Sequence, residues 1–196
     1  MFSEREQARY ERHFALPGFG VEGQSALKNA SALCIGAGGL GFPAALYLGA
    51  AGVGRLGIVD DDEVDLSNLQ RQILHDEGWV GASKAESARE RLRGLNSDIA
   101  VEVHATRLNH ENVMDLIGRY DVIVLSEVGY FLSPVDLDEL VRGRVVVAMS
   151  GGVDSSVTAA FVAQKGWDAV GISMRLYATP PSSYTKSCCS PDDLFD

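Results

Sequence analysis

The sequence of 196 residues predicts an α/β fold, in which helices cover both faces of a doubly wound, mostly parallel sheet. Apolar runs alternate with helical stretches along the chain, which is typical of βαβ units. The runs are nearly continuous in valine, isoleucine and leucine, as in strands that are buried on both faces. Glycine-rich turns follow two of these runs, and right-handed crossovers would bring both turns to the carboxyl edge of the sheet.

The elements follow from these patterns in order. The six predicted strands cover residues 31–36, 56–60, 100–104, 120–125, 144–150 and 167–174. The five predicted helices between them cover residues 40–51, 83–94, 109–118, 135–142 and 154–165. The charged N-terminal stretch MFSEREQARYERHF is also helix-like and does not resemble a signal peptide. Since no apolar run reaches the roughly 18 residues of a membrane span, we expect a cytoplasmic protein without a membrane partner.

The amino-acid composition and the net charge indicate which kinds of molecule the protein is expected to bind. Hydrophobic residues make up 46% and charged residues 22% of the chain, which is ordinary for a globular protein. The net charge is -10, and only REQARYER and ARERLRG are locally basic, which disfavours general nucleic-acid binding. The cysteines Cys34, Cys188 and Cys189 form neither a disulfide framework nor a zinc-binding Cys-x-x-Cys pair, so zinc is not expected. A nucleotide or another protein is the expected partner.

The first glycine turn, GAGGLG, matches G-x-G-x-x-G directly after a predicted strand. Its glycines Gly36, Gly38, Gly39 and Gly41 would let the backbone approach a phosphate at the start of a helix. Asp60 lies about 20 residues further on, where an acid can accept a hydrogen bond from a ribose hydroxyl. The motif alone also fits a tight turn without a ligand. With Asp60 it predicts a Rossmann-like site for a dinucleotide or ATP.

The segment SNLQRQ adds hydrogen-bond donors in one short turn. Asn68, Arg71 and Gln72 carry amide and guanidinium groups, and Arg71 can hold two phosphate oxygens at once. Lys84 adds a second cation near the start of a predicted helix. Each of these residues alone would be read as a solvated side chain, but the set favours phosphate binding.

Six sequence motifs within residues 5–124 match a known family. They are ARYERHFALPGFGVEGQ, IGAGGLG, GVGRLGIVD, DLSNLQRQILH, VGASKAESARERLRGLN and YDVIV. On the basis of these motifs, the segment resembles the ThiF/MoeB/HesA family, the bacterial relatives of ubiquitin-activating enzymes. The resemblance implies a homodimer that binds MgATP and transfers AMP to the C-terminal carboxylate of a ubiquitin-like sulfur carrier protein. Pyrophosphate is released in that reaction.

The resemblance also assigns roles to residues. Asp60 would hold the ribose, while Asn68, Arg71 and Lys84 would contact the phosphates. Arg12 would reach into the site of the partner subunit, which makes Arg12, Arg71 and Lys84 the expected catalytic residues. These cations suit the reaction, because attack of a carboxylate on the α-phosphate builds negative charge that fixed cations and amides stabilise.

The sequence departs from the family pattern directly after this segment, where neither the Mg-binding aspartate nor the catalytic cysteines of the family are found. After YDVIV the family continues to a Thr-Asp-Asn sequence whose aspartate holds Mg²⁺, whereas this chain reads LSEVGY. Val128 occupies the aligned place, so no residue is assigned as a metal ligand.

The second glycine turn, SGGVDSS, follows the apolar run VVVAM. It matches the pyrophosphate loop of ATP pyrophosphatases, in which backbone amides and hydroxyls cup the β- and γ-phosphates. Asp154 could equally be a structural cap of the following helix. The predicted contacts of this loop are Ser150, Gly151, Gly152, Asp154, Ser155 and Ser156.

Residues 143–196 resemble the start of MnmA-type tRNA 2-thiouridylases. The motifs that carry this resemblance are RVVVAMSGGVDSSVTAA, GWDAVGISMRLY and KSCCSPDDLFD. That family adenylates a tRNA uridine and then replaces its oxygen with sulfur. We therefore expect an ATP-binding domain over 1–124, a junction over 125–142 and a pyrophosphate-loop segment over 143–196 with a loosely ordered tail.

Three functions remain open from the sequence. The favoured one is an ATP-dependent adenylyltransferase of the ThiF/MoeB/HesA type. The second is a fragment of a tRNA 2-thiouridylase, which alone would make tRNA a partner. The third is a catalytically inert, ATP-binding hybrid of two truncated families.

Overall fold

The structure is a computed structural model, and it describes residues 1–109, 111–126, 144–149 and 169–173. The strands are β1 Ser31–Ile35, β2 Arg55–Val59, β3 Ala100–His104, β4 Val122–Leu125, β5 Arg144–Met149 and β6 Ala169–Ser173. The helices are α1 Glu4–Phe14, α2 Gly20–Asn29, α3 Gly41–Ala51, α4 Lys84–Leu95 and α5 Val113–Ile117. Two short 3-10 turns lie at Leu66–Asn68 and Glu77–Trp79.

All six strands form one parallel sheet in the order β3-β2-β1-β4-β5-β6. The strand order reverses beside β1, which pairs with β2 on one side and with β4 on the other. Ile35 at the end of β1 lies in register with Val59 and with Leu125. The carboxyl edge at this reversal is where ligands bind in open α/β sheets. The predicted parallel Rossmann-like fold is therefore confirmed.

Strands β1, β2 and β4 are buried on both faces. On one face, α3 and α4 pack on a core that includes Ala32, Cys34, Ala45, Leu56, Ile58, Ala88 and Leu92. Burial raises the pKa of the Cys34 thiol to about 12, so this cysteine is a packing residue. Leu33 and Leu125 point to the opposite face and are also fully buried. The crossover from β3 to β4 carries α5, and right-handedness places it on that opposite face.

The first helix and the last turn of α3 are fixed by specific contacts. Ser3 and Glu6 form a reciprocal capping box at the start of α1. Gly52 ends α3 with a φ of 89°, in the left-handed region. A Cβ at Gly52 would lie 2.3 Å from the Tyr10 hydroxyl oxygen, so only glycine permits this approach of α1.

The sequence did not predict α2, and it predicted too long a helix over 109–118. The fully buried Gln24 holds α2 in place: its Nε2 donates to the Ala51 carbonyl at 2.8 Å, and its Oε1 lies 2.7 Å from His13 Nδ1. Asn109 caps the start of α5 rather than belonging to it: its side chain accepts the N–H groups of Glu111 and Asn112, and its carbonyl accepts the Val113 N–H at 3.0 Å.

The predicted helices over 135–142 and 154–165 lie outside the described residues. The two later strands continue the same sheet, since β5 pairs with β4 and β6 pairs with β5. The division of the chain near residues 124 and 143 stays a prediction. In the described ranges, no helix combines the length and the hydropathy that crossing a bilayer requires.

Candidate functional site

The glycine-rich loop joins β1 to α3 at the carboxyl edge of the sheet. Gly36 has a φ of 91°, and its N–H donates to the Val59 carbonyl at 2.8 Å. A Cβ at Gly41 would lie only 1.8 Å from the Gly36 carbonyl oxygen. By contrast, a Cβ at Gly39 would meet nothing within 4 Å. Gly36 and Gly41 therefore allow the loop to close, while the space beside Gly39 remains open.

The start of α3 leaves its backbone donors open. Leu40 is the N-cap residue and makes no side-chain cap, while the Phe42 N–H donates to the Gly38 carbonyl at 3.1 Å. Within the described part of the chain, the N–H groups of Gly38, Gly39 and Leu40 have no acceptor. Unpaired N–H groups at the positive end of a helix dipole form a binding site for anions.

Asp60, at the end of β2, braces this loop. Its Oδ2 accepts the Ala37 N–H at 2.7 Å, and its Oδ1 accepts the Asp62 N–H at 2.9 Å. Burial raises the pKa of Asp60, and the two N–H bonds oppose that rise. Each carboxylate oxygen retains a second lone pair, so the predicted acceptance of a ribose hydroxyl remains chemically open.

Lys84 joins the same network from the first residue of α4. Its Nζ lies 2.8 Å from Asp62 Oδ2, and its N–H donates to the Asp62 carbonyl at 2.9 Å. The Lys84 side chain is 8% exposed, whereas that of Asp62 is 67% exposed. The structure thus brings the ammonium group, Asp60 and the glycine-rich loop together through consecutive hydrogen bonds.

Sequence reasoning missed His75, which contacts the same loop. His75 Nε2 lies 3.3 Å from the Ala37 carbonyl oxygen, and Nδ1 lies 2.9 Å from Ser87 Oγ. Both His75 and Ser87 are buried, and burial lowers the pKa of His75. The histidine stands within QRQILH, but no local pattern in the sequence points to its two distant partners.

Asn68 and Arg71 lie together on the turn that precedes His75. Asn68 Oδ1 accepts the Asp65 N–H at 3.2 Å. The amide NH₂ group of Asn68 has no hydrogen-bond partner among the described residues. Arg71 is exposed, and its Nη1 donates to the Ser67 carbonyl at 3.2 Å. No hydrogen bond among the described residues joins either side chain to the glycine-rich loop. Gln72 is instead buried, and its Oε1 has no partner in the described ranges.

Arg12 lies apart from this network. It is exposed in the last turn of α1, and its side chain makes no hydrogen bond or ion pair with another described residue. The second predicted loop, Ser150, Gly151, Gly152, Asp154, Ser155 and Ser156, lies outside the described residues.

A groove of about 90 Å³ opens beside the glycine-rich loop. Its lining consists of Ile35, Gly36, Val59, Asp60, Asp61, Asp62, Thr106, Arg107 and Leu108. Two of these acids are engaged within the protein, since both oxygens of Asp60 accept N–H bonds and Asp62 is paired with Lys84. Across the described residues there is no group of three or more metal-ligating side chains.

Comparison with known proteins separates the chain into two matched segments. The ThiF family profile matches residues 10–126. A second profile, described as the HUP domain of tRNA methyl transferase, matches residues 143–196. The second segment is thus similar to that domain, as the sequence resemblance predicted.

Two curated relatives match the first segment. The "Probable adenylyltransferase/sulfurtransferase MoeZ" of Mycobacterium tuberculosis is 55% identical over 122 residues, which cover 62% of this chain and 31% of that protein. The adenylyltransferase and sulfurtransferase MOCS3 of Culex quinquefasciatus is 51% identical over 122 residues, with coverage of 62% and 28%. The chain thus spans about a third of the length of these relatives.

Solved structures agree with the fold. Escherichia coli tRNA N6-threonylcarbamoyladenosine dehydratase, TcdA, in complex with AMP has a TM-score of 0.71 at 24% identity, covering 78% of this chain and 62% of that chain. Escherichia coli MccB with ATP has a TM-score of 0.57 at 29% identity, covering 69% and 41%. Because the ThiF profile covers more than half of the sequence, the chain belongs to the ThiF family.

Proposed function

We propose that the chain is the nucleotide-binding part of an ATP-dependent adenylyltransferase that activates the C-terminal carboxylate of a ubiquitin-like sulfur carrier protein. The observation that carries this proposal is the open start of α3 between Asp60 and Lys84. Unpaired N–H groups, a hydroxyl acceptor and a buried cation together suit the triphosphate and ribose of ATP. The MoeZ and MOCS3 names and the MccB–ATP complex support the same chemistry.

The proposed reaction is an in-line transfer of AMP. A carboxylate oxygen of the carrier attacks the α-phosphorus, a new phosphorus–oxygen bond forms, and the bond to the β-phosphate breaks. The products are an acyl-adenylate and pyrophosphate. No covalent enzyme intermediate is required, so the chain's contribution is to hold and orient the nucleotide and to stabilise its charge.

Each residue of the site has a proposed part in this reaction. The N–H groups of Gly38 and Gly39 bind phosphate oxygens, and Asp60 accepts a ribose hydroxyl. Lys84 and Arg71 neutralise negative charge on the triphosphate, the latter by turning its exposed guanidinium away from its own turn.

Asn68 and Arg12 complete the proposed site. Asn68 donates its free amide N–H to a phosphate. Arg12 is exposed and unpaired among the described residues, which suits a role in the site of a second subunit in a homodimer. Mg²⁺ would arrive with ATP, bound mainly by the phosphates and by water.

Pyrophosphate exchange tests this proposal. The chain is incubated with ATP and labelled pyrophosphate, either alone, with a purified ubiquitin-like sulfur carrier, or with that carrier amidated at its C-terminus. We expect label to enter ATP only with the unmodified carrier, because the free carboxylate is the nucleophile. Exchange that is equal with the amidated carrier would contradict the proposal.

The match of residues 143–196 to the tRNA methyl transferase HUP domain keeps a tRNA thiolation fragment as a second candidate. Exchange stimulated by total tRNA rather than by the carrier would favour that function. Thermal stabilisation by ATP without any exchange would instead favour an inert nucleotide-binding hybrid.

A further inference from the structure

His75 is a buried titratable side chain that the proposed reaction does not use directly. It is 6% exposed and lies between the Ala37 carbonyl oxygen and Ser87 Oγ. Because a carbonyl oxygen can only accept, the Nε2 atom must carry the proton of the bond to Ala37. The Nδ1 atom then accepts the hydroxyl proton of Ser87. The surrounding atoms thus select one tautomer of the imidazole.

The Ala37 backbone is held from both sides. Its N–H donates to Asp60 Oδ2 at 2.7 Å, and its carbonyl accepts from His75 Nε2 at 3.3 Å. The peptide that joins Ala37 to Gly38 is planar and trans, so its carbonyl and its N–H point in opposite directions. The bond from His75 therefore fixes the direction of the Gly38 N–H, which has no acceptor among the described residues.

We infer that His75 is a positioning residue, which aims the Gly38 N–H at a phosphate of the bound nucleotide by holding the Ala37 carbonyl. The inference rests on the proposed nucleotide-binding function. His75 itself does not touch the nucleotide, and its effect passes through a single peptide plane. Its loss should therefore weaken phosphate binding while it leaves the binding of the nucleoside unchanged.

The charges around His75 agree with a neutral imidazole. Burial lowers its pKa, the bond to the Ala37 carbonyl raises it, and the nearby ammonium of Lys84 lowers it further. The carboxylates of Asp60 and Asp76 act in the opposite direction. Since the net direction is downward from 6.5, the imidazole is neutral at pH 7 and keeps the tautomer that Ala37 requires.

Two polar substitutions separate the two bonds of His75. In His75→Gln the longer side chain places its amide nitrogen near the position of Nε2, so it can still donate to Ala37. In His75→Asn the shorter side chain reaches only toward Ser87. Calorimetric titrations with ATP and with adenosine then report phosphate and nucleoside binding separately. We expect the Gln variant to bind ATP within about threefold of wild type and the Asn variant to bind it about tenfold more weakly.

Adenosine affinity is expected to be equal in wild type and in both variants. His104→Asn is the control, because His104 is a half-buried histidine that also forms a hydrogen bond through Nε2, which lies 2.8 Å from the Tyr120 hydroxyl oxygen. Among the described residues its side chain makes no hydrogen bond to the glycine-rich loop, so the ATP affinity of this variant should equal that of wild type.

The inference is overturned if His75→Asn binds ATP as tightly as wild type. It is also overturned if that variant loses ATP and adenosine affinity equally, because a general loss of structure would do the same. Both results leave the proposed function standing, since wild type still binds ATP. Absence of ATP binding by folded wild type would instead remove the proposed function and the inference together.

Discussion

Replacement of Lys84 by methionine tests the role of the cation that Asp62 joins to the loop network. Methionine keeps an unbranched apolar stem of similar length, so the packing of the buried side chain is preserved. The substitution removes the Nζ atom that lies 2.8 Å from Asp62 Oδ2. If Lys84 also contacts the triphosphate, the same substitution removes a charge-assisted bond to phosphate.

The expected effects on stability and on affinity differ in size. Asp62 is 67% exposed, so its carboxylate is solvated once the ion pair is lost. The free energy of unfolding should therefore fall by only about 0.2–1 kcal/mol. A charge-assisted bond to phosphate is worth about 1–3 kcal/mol, which corresponds to ATP binding that is roughly 5- to 150-fold weaker.

The assay is calorimetric titration of wild type and Lys84→Met with ATP, together with urea unfolding of both. Lys28→Met is the control for loss of a lysine ion pair, because Lys28 Nζ on α2 lies 2.6 Å from Glu6 Oε1 on α1. The control should lose no ATP affinity, and it should lose more stability than Lys84→Met, because the Glu6 side chain is only 9% exposed and would be left without its cation. An unchanged ATP affinity in Lys84→Met would refute the assignment of Lys84 to the phosphates.

Three further predictions concern the loop, the ribose and the N-terminal helix. Gly41→Ala should lower the free energy of unfolding by about 1–3 kcal/mol, because its Cβ would lie 1.8 Å from a loop carbonyl, whereas Gly39→Ala should change it by less than about 0.5 kcal/mol. Equal urea midpoints for these variants would contradict that account. Asp60→Asn should abolish the preference for ATP over 2′,3′-dideoxyATP in a titration, and a retained preference would exclude Asp60 as the ribose acceptor. The lysine bond and the capping-box bonds lower the pKa of Glu6 from 4.5 to about 2, so its carboxylate contributes stability that is fully present above the unfolded pKa and is lost as the pH falls toward 2. The difference in unfolding free energy between wild type and Glu6→Gln should therefore close over that pH window, and a constant difference would contradict the assignment.

The sheet could be predicted because its signal is local. Each strand is a short apolar run, and the structure reproduces all six, with ends that differ by roughly two residues at most. The predicted strand over 120–125 begins later, at Val122, because the Asp121 side chain accepts the Ser31 N–H and hydroxyl bonds just before it. The sequence predicted a parallel sheet but no strand order, because pairing depends on contacts between strands that are distant along the chain.

The helix α2 could not be predicted because its signal is not local. Its sequence GVEGQSALKN holds two glycines and no apolar stripe. The helix is fixed by Gln24, whose partners on His13 and Ala51 come from neighbouring helices. Tertiary contacts therefore override a weak local preference.

The residues of the candidate site also fall into those with a local sequence signal and those without one. The glycines, Asp60 and Lys84 stand in recognisable spacing, and the structure links them through adjacent hydrogen bonds. His75 and Asp62 escaped sequence reasoning, because their roles depend on which backbone atom or cation lies beside them in the fold. Such partners are set by the packing of the turn against α4, which no short motif encodes.

The most direct test of the account is a calorimetric titration of folded chain with ATP and magnesium. The account predicts a saturable heat of binding that becomes weaker in Lys84→Met and stays unchanged in Lys28→Met. A folded sample that gives no heat, or a heat that all three proteins share equally, would contradict the claim that the loop at residues 36–41 and Lys84 hold the triphosphate.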